Sequence, residues 1–171
     1  MIILYILLGI VAFLLIVALF LPGKYQIEKT AIIKNTVSEV MMRVADLNHY
    51  AAWNPWQKSD PGAKGTITGT PAQRGHKYAW EGKKVGIGSL TLRDIDNKHV
   101  HFNLEFIKPF KSKASDDWMF EEWGQGETKV TWSNNGDLSY PIARLIGPGL
   151  KKSLNRQFEE GLENLRKICE R

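Results

Sequence analysis

The sequence predicts an α+β protein: a curved antiparallel β-sheet wrapped around one long C-terminal helix, preceded by a single transmembrane helix. Three observations carry that expectation. The first 23 residues contain no charged side chain, so all 23 Lys and Arg and all 18 Asp and Glu lie from Lys24 onward. From His76 to Gly136 apolar and polar residues alternate with the period of two expected of half-buried strands, and turn residues separate the runs. From about Pro148 to Glu170 the apolar residues instead recur every three or four positions, as on one face of a helix.

Ile2–Leu21 is uncharged and interrupted only by Gly9. At about 1.5 Å per residue it spans about 30 Å, the thickness of a hydrocarbon core. A cleavable signal peptide would show a basic start, a shorter apolar run and a small-x-small cleavage site. No basic residue precedes this run, and Phe20-Leu21-Pro22-Gly23 lacks that pattern. A retained anchor over residues 1–23 is therefore expected, followed by one domain over 24–171. Lys24, Lys29, Lys34 and Arg43 follow the helix while only the terminal amine precedes it. Positive-inside bias then puts a single-pass protein in the cell membrane, with its C-terminal domain in the cytoplasm.

Beyond the anchor, the chain is about 35% apolar, enough for one soluble domain. Tyr25–Ile33 mixes polar and β-branched residues and reads as a first strand. Thr36 with Glu39 forms a capping-box pattern before Val37–Leu47, whose Val37, Val40, Met41, Val44 and Leu47 fall on helical spacing. Asp46 or Asn48 caps a further short turn, which Pro55 ends. Gly65–Thr70, within a Gly/Pro-rich stretch, is either loop or a short edge strand. His76–Glu81, Gly86–Ile95, Lys98–Lys108, Ser112–Trp123 and Thr128–Gly136 form a meander, with turns at Gly82-Lys83-Lys84, Asp96-Asn97 and Gly124-Gln125-Gly126. In Lys98–Lys108, Val100, Phe102, Leu104 and Phe106 share an inward face, and His99, His101, Asn103 and Glu105 an outward one. The final helix from about Pro148 carries Leu150, Leu154, Phe158, Leu162, Leu165 and Cys169 as one stripe. Gly161 interrupts it, explained either by close approach to the sheet or by simple tolerance. A sheet that curls round such a helix leaves a cavity lined by aromatic residues.

Trp53-Asn54-Pro55-Trp56, Trp80-Glu81-Gly82 before Gly86-Ile87-Gly88, Leu104-Glu105-Phe106-x-x-Pro109, Lys129-Val130-Thr131-Trp132 and Phe158–Arg166 occur in a specific order and spacing. In this the chain resembles the START-like helix-grip (SRPBCC) superfamily, which includes polyketide cyclase/dehydrase-like, birch-pollen-allergen-type and lipid-transfer domains. The similarity covers nearly all of residues 25–170, and looks like the bacterial subgroup carrying one N-terminal membrane helix. The resemblance implies a hydrophobic or amphipathic small molecule, such as a lipid, bound between sheet and C-terminal helix. It implies no single reaction and brings no catalytic motif or cofactor.

The candidate ligand-binding residues are the inward aromatic set Tyr78, Trp80, Trp118, Phe120 and Trp132, with the polar His76, Asp116 and Asn134 on the same strand faces. Trp53 and Trp56 join them as core plugs or as a lid over the cavity mouth. If His76 and Asp116 both enter the cavity, they form an acid–base pair or anchor a polar head group; otherwise both are hydrated, His76 at a strand start and Asp116 near a rim. His99 and His101 face solvent without a third ligand, so no metal site is expected. Gly86-x-Gly88 is no dinucleotide fingerprint, because no βαβ unit surrounds it; close packing or a bulge explains it. The net charge of +5 is scattered, without a basic run or nucleic-acid-binding motif, so no nucleic-acid partner is expected. Cys169 is the only cysteine, which excludes an intrachain disulfide. Three functions compete: a membrane-anchored binding module, an enzyme acting on a hydrophobic ring-containing or acyl substrate, and a regulatory domain using the outer sheet face.

Overall fold

The computed structural model describes all 171 residues. Helix α1 (Ile2–Phe20) is the one helix long and apolar enough to cross a membrane. It stands clear of the domain except near its end, where Ala18 is fully buried. Strand β1 (Lys24–Ile33) leads into α2 (Val37–Ala45), where the Thr36 hydroxyl accepts from the Glu39 amide as the capping pattern predicts. A 3₁₀ turn (Leu47–His49) and two short helices follow, α3 (Tyr50–Trp53) and α4 (Trp56–Ser59). Asp46 caps the turn by accepting from the Asn48 amide.

Six more strands complete one antiparallel sheet: β2 (Lys64–Thr68), β3 (Lys77–Gly82), β4 (Gly86–Ile95), β5 (His99–Lys108), β6 (Ser112–Glu122) and β7 (Thr128–Asp137). The order is β1-β7-β6-β5-β4-β3-β2, so a meander closes back onto the first strand. Strand β2 is the open edge, pairs only with β3 and is exposed along its length, which resolves the loop-or-edge alternative. Irregularities in β4 at Ile87/Gly88 and Leu92/Asp94 bend the sheet. At the first of these Trp80 lies over Gly88, where a Cβ would collide with the indole and approach the Glu105 carbonyl to 2.6 Å. The Gly-x-Gly pair is thus both bulge and close packing.

The last helix, α5 (Ile142–Cys169), starts six residues earlier than the sequence suggests. The apolar stripe begins at Leu150, and proline is also compatible with a first helical turn. Here Pro148 lies inside the helix, and the preceding turn closes on its own backbone and on Leu138 just before it. Leu145 donates to the Pro141 carbonyl at 3.2 Å, Arg144 Nε donates to the Leu138 carbonyl at 3.4 Å, and Gly147 packs on Leu138.

Gly161 marks where α5 comes nearest the concave face. A Cβ there would sit 2.8 Å from Trp132 and 3.3 Å from Pro55. Trp132 is itself pinned, its ring stacked on Phe158 with centroids 3.8 Å apart, so it cannot yield. Close approach is therefore the reason for this glycine. Gly161→Ala should lower stability by up to about 2 kcal/mol, because an overpacking cost of about 1–3 kcal/mol outweighs the roughly 1 kcal/mol gained in helix propensity. An equal or higher urea midpoint would contradict that assignment.

Both inward stripes change character along their length. On β5, Val100 and Phe102 are buried, whereas Leu104 and Phe106 are only half-buried. On α5, Leu165, Leu162 and Phe158 are buried, but Leu154 and Leu150 are half-buried. At one end helix and sheet close into a dry core. Towards the other they part, and the same apolar faces line open space.

Candidate ligand cavity and its buried polar end

That space is a cavity of about 630 Å³, lined mainly by hydrophobic residues. Its walls come from Trp80, Leu90, Leu104 and Phe106 on the sheet, Leu150, Leu154 and Phe158 on α5, and Tyr50 and Trp56 from the short helices. The size and apolar lining suit a small hydrophobic ligand.

The polar end is set by strand register. In the β6–β7 ladder Asp116 lies opposite Asn134, and Trp118 opposite Trp132. Because side chains alternate along a strand, all four project to the concave face. The two indoles stack at 4.4 Å and both turn their N–H groups to Asp116. Asp116 Oδ1 accepts from Trp132 Nε1 at 2.9 Å and from Asn134 Nδ2 at 3.1 Å, while Oδ2 accepts from Trp118 Nε1 at 3.0 Å. Tyr25, across from Gly136 on β7, donates its hydroxyl to Asn134 Oδ1 at 2.8 Å. Gly136 is needed there, since a Cβ would press within 2.9 Å of the Tyr25 ring.

Asp116 is thus a buried carboxylate held by three neutral donors, with no cation among its hydrogen-bond partners. Burial pushes its carboxyl up to about 6; the donors from Trp132, Trp118 and Asn134 pull the other way, and the neighbouring Asp117 charge adds to the rise. Burial, with the Asp116 charge second, raises the Tyr25 phenol to about 12. The result is a buried, acceptor-rich polar cluster in the wall of a mainly apolar cavity.

Of the residues singled out in the sequence, Tyr78, Trp80, Asp116, Trp132, Asn134 and Trp56 line the cavity. Trp118 and Phe120 do not; they are buried behind Trp132, with Phe120 stacked on Trp118 at 6.3 Å. Trp53 is a core plug, edge-on to Trp118 and Trp132 at 5.4 and 5.8 Å. Trp56 is half-buried in the cavity wall and donates to Gln157 on α5 at 3.1 Å. Tyr25, Tyr50 and Asn54 also line it and were not foreseen. Only the register opposite Gly136 brings Tyr25 to Asn134, and no periodicity signals that.

His76 is the correction. It is buried but lies outside the cavity, where Nε2 accepts from the Leu47 amide at 3.0 Å and Nδ1 lies 3.1 Å from the Thr68 carbonyl. The ring ties the 3₁₀ turn to the end of β2, so both its nitrogens are committed to the backbone. The pairing of His76 with Asp116 as acid and base therefore does not form. Outside the sheet, His101 bonds Asp117 at 2.7 Å and His99 bonds Asp96 at 3.1 Å, and no cluster of three metal-binding side chains occurs.

A family model described as polyketide cyclase / dehydrase and lipid transport matches residues 24–170. Solved structures share the fold at low identity. The protein CV1439 from Chromobacterium violaceum superposes with a TM-score of 0.63 at 12% identity, covering 85% of this chain and 97% of that one. TTHA0849 from Thermus thermophilus gives 0.62 at 17%, covering 84% and 95%. The Zhui aromatase/cyclase from Streptomyces sp. R1128 gives 0.61 at 16%, covering 86% and 94%. A comparison with curated protein sequences found no match.

Proposed function

The chain belongs to the polyketide cyclase/dehydrase and lipid transport family, and we propose that it is a membrane-anchored member that binds a hydrophobic or lipid-like molecule between sheet and C-terminal helix. The observation that carries this reading is the cavity of about 630 Å³, lined mainly by hydrophobic residues, with the buried Asp116 and Asn134 in its wall. The walls take the apolar body of the ligand. Asp116 and Asn134 meet a hydrogen-bond donor on it, such as a hydroxyl or an amine. The anchor is α1, which holds the domain where such molecules are concentrated, and the basic residues after it favour a cytoplasmic domain.

The test is organic extraction and mass spectrometry of residues 23–171 purified without detergent, followed by titration with N-phenylnaphthylamine. An apolar molecule that co-purifies, or saturable probe binding weakened roughly tenfold by Leu154→Trp, is the expected result. An empty domain that also fails to bind the probe would overturn it.

An enzyme acting on a hydrophobic substrate is the second reading. It is favoured by one observation, a cavity carboxyl with its pKa raised to about 6, in the range useful to a general acid or base. Without His76 it would act alone. Turnover of a bound molecule that Asp116→Asn abolishes, with a loss in kcat well beyond any weakening of binding, would select this reading.

A further inference from the structure

We propose that the rim of the cavity is itself a membrane-docking surface, seated in the headgroup and upper acyl layer of the bilayer that α1 crosses, so that the cavity opens to lipid. This rests on α1 being a membrane span and extends the binding reading to the route of entry. Phe110, Ile142 and Ile146 all border the cavity, yet each is more than half exposed, an unusual outlay of apolar surface around one opening. Ile142 and Ile146 are four residues apart on the first turns of α5, so they share one helix face.

The position of that face is tied to the membrane helix. Tyr140, at the same rim, donates its hydroxyl to the Leu15 carbonyl of α1 at 3.2 Å. Leu15 lies five residues before the end of α1 at Phe20, or about 8 Å along the axis. If α1 spans the bilayer and ends at its surface, Tyr140 sits about that far below the end. This matches the roughly 5–10 Å to which interfacial helices sink. Arg144 packs against Gly23 at the junction and lies over the Tyr140 ring at 5.7 Å, which ties the first turn of α5 to the exit of α1.

The opposite side of the mouth is the β5–β6 hairpin tip, Ile107-Lys108-Pro109-Phe110-Lys111-Ser112-Lys113, which is exposed throughout and contains no acidic residue. Lys113 pairs with Glu105 at 2.9 Å, leaving Lys108 and Lys111 without a carboxylate partner. An aromatic tip flanked by free lysines suits anionic headgroups above and acyl chains below. Both halves of the rim therefore carry the chemistry of a bilayer surface, and both lie at the end of the domain where α1 leaves it.

The test is the depth of nitroxide labels at Phe110→Cys, Ile142→Cys and Ile146→Cys in the full chain carrying Cys169→Ala, in vesicles of phosphatidylcholine and phosphatidylglycerol. Leu8→Cys in α1 is the reference for the hydrocarbon, and Lys98→Cys, at the far end of β5, the reference for water. Rim labels several-fold more accessible to oxygen than to a water-soluble nickel chelate, relative to Lys98→Cys, are the expected result. Three outcomes would overturn the proposal. Rim labels as aqueous as Lys98→Cys with Leu8→Cys immersed remove the docking surface and leave the anchor. Rim labels shielded from both quenchers mean that a protein or a second copy covers the rim. An aqueous Leu8→Cys removes the anchor too. None of these outcomes touches probe binding by residues 23–171, so failure of the entry route and failure of the binding reading are told apart.

Discussion

Trp132→Ala should lower the unfolding free energy by about 5 kcal/mol, enough to unfold much of a domain whose total is about 5–15 kcal/mol. Truncating a buried aromatic residue costs about 3–5 kcal/mol, and Trp132 is nearly inaccessible at 1% exposure. It is also the residue on which the site converges. It stacks on Trp118 and Phe158, meets Trp53 and Trp56 edge-on, and bounds the space that Gly161 keeps open. Its indole N–H is one of three donors holding Asp116, and losing a hydrogen bond to a charged group adds about 1.5–3 kcal/mol. Trp132→Phe keeps one ring in the stack but loses the donor and part of the indole volume, so its cost should fall between that smaller figure and the alanine loss. Urea denaturation measures both variants. A loss below about 2 kcal/mol for the alanine variant would mean that the stack is not the keystone of the fold.

Asp116 should give the protein an acid-stabilised component that Asp116→Asn lacks. Burial raises its folded pKa from 3.8 to about 6. The folded state therefore binds the proton more tightly than the unfolded state. Its contribution is fully present below the unfolded value and is lost as pH rises through about 6. The exposed Asp96 and the partly exposed Asp46 have lowered pKa values and work in the opposite sense, losing stability as pH falls. The difference between wild type and variant isolates Asp116. Asparagine can still accept from Trp132 and Asn134, but it turns an NH₂ towards the Trp118 N–H, a fixed penalty of about 1–3 kcal/mol. The wild-type advantage should therefore grow by about 2 kcal/mol on going from about pH 7.5 to about pH 4.5. A difference that stays flat across that range would mean that Asp116 is ionised at no extra cost, and so is well hydrated.

The alternation of Val100, Phe102, Leu104 and Phe106, the stripe from Leu150 to Cys169 and the uncharged start each report a local period, and each element lies where that period predicts. Boundaries were less legible. Pro148 has the chemistry of a helix start, but Leu138 and Pro141 hold an earlier turn that hydrophobic spacing does not report. Site residues divided in the same way. Asp116, Trp132 and Asn134 reach the cavity because side chains two apart share a strand face. His76 shares that pattern and lies elsewhere, because alternation says which face a residue takes and not what covers it. Just before β3 begins, the face is covered by the Leu47 turn and β2; further along it opens into the cavity.

By itself, then, the sequence determined the α+β class, the membrane-length helix, the meander with its inward aromatic face and the apolar stripe of α5. All of these follow from periodicity and charge, which act over a few residues. Tertiary structure alone decided that Asp116 is gripped by two indoles and an amide, that Tyr25 reaches Asn134 over Gly136, that His76 is a strut, and that helix and sheet part towards a rim beside α1. Those depend on register across strands and on the distance between helix and sheet. Both are set by packing between residues far apart in the chain.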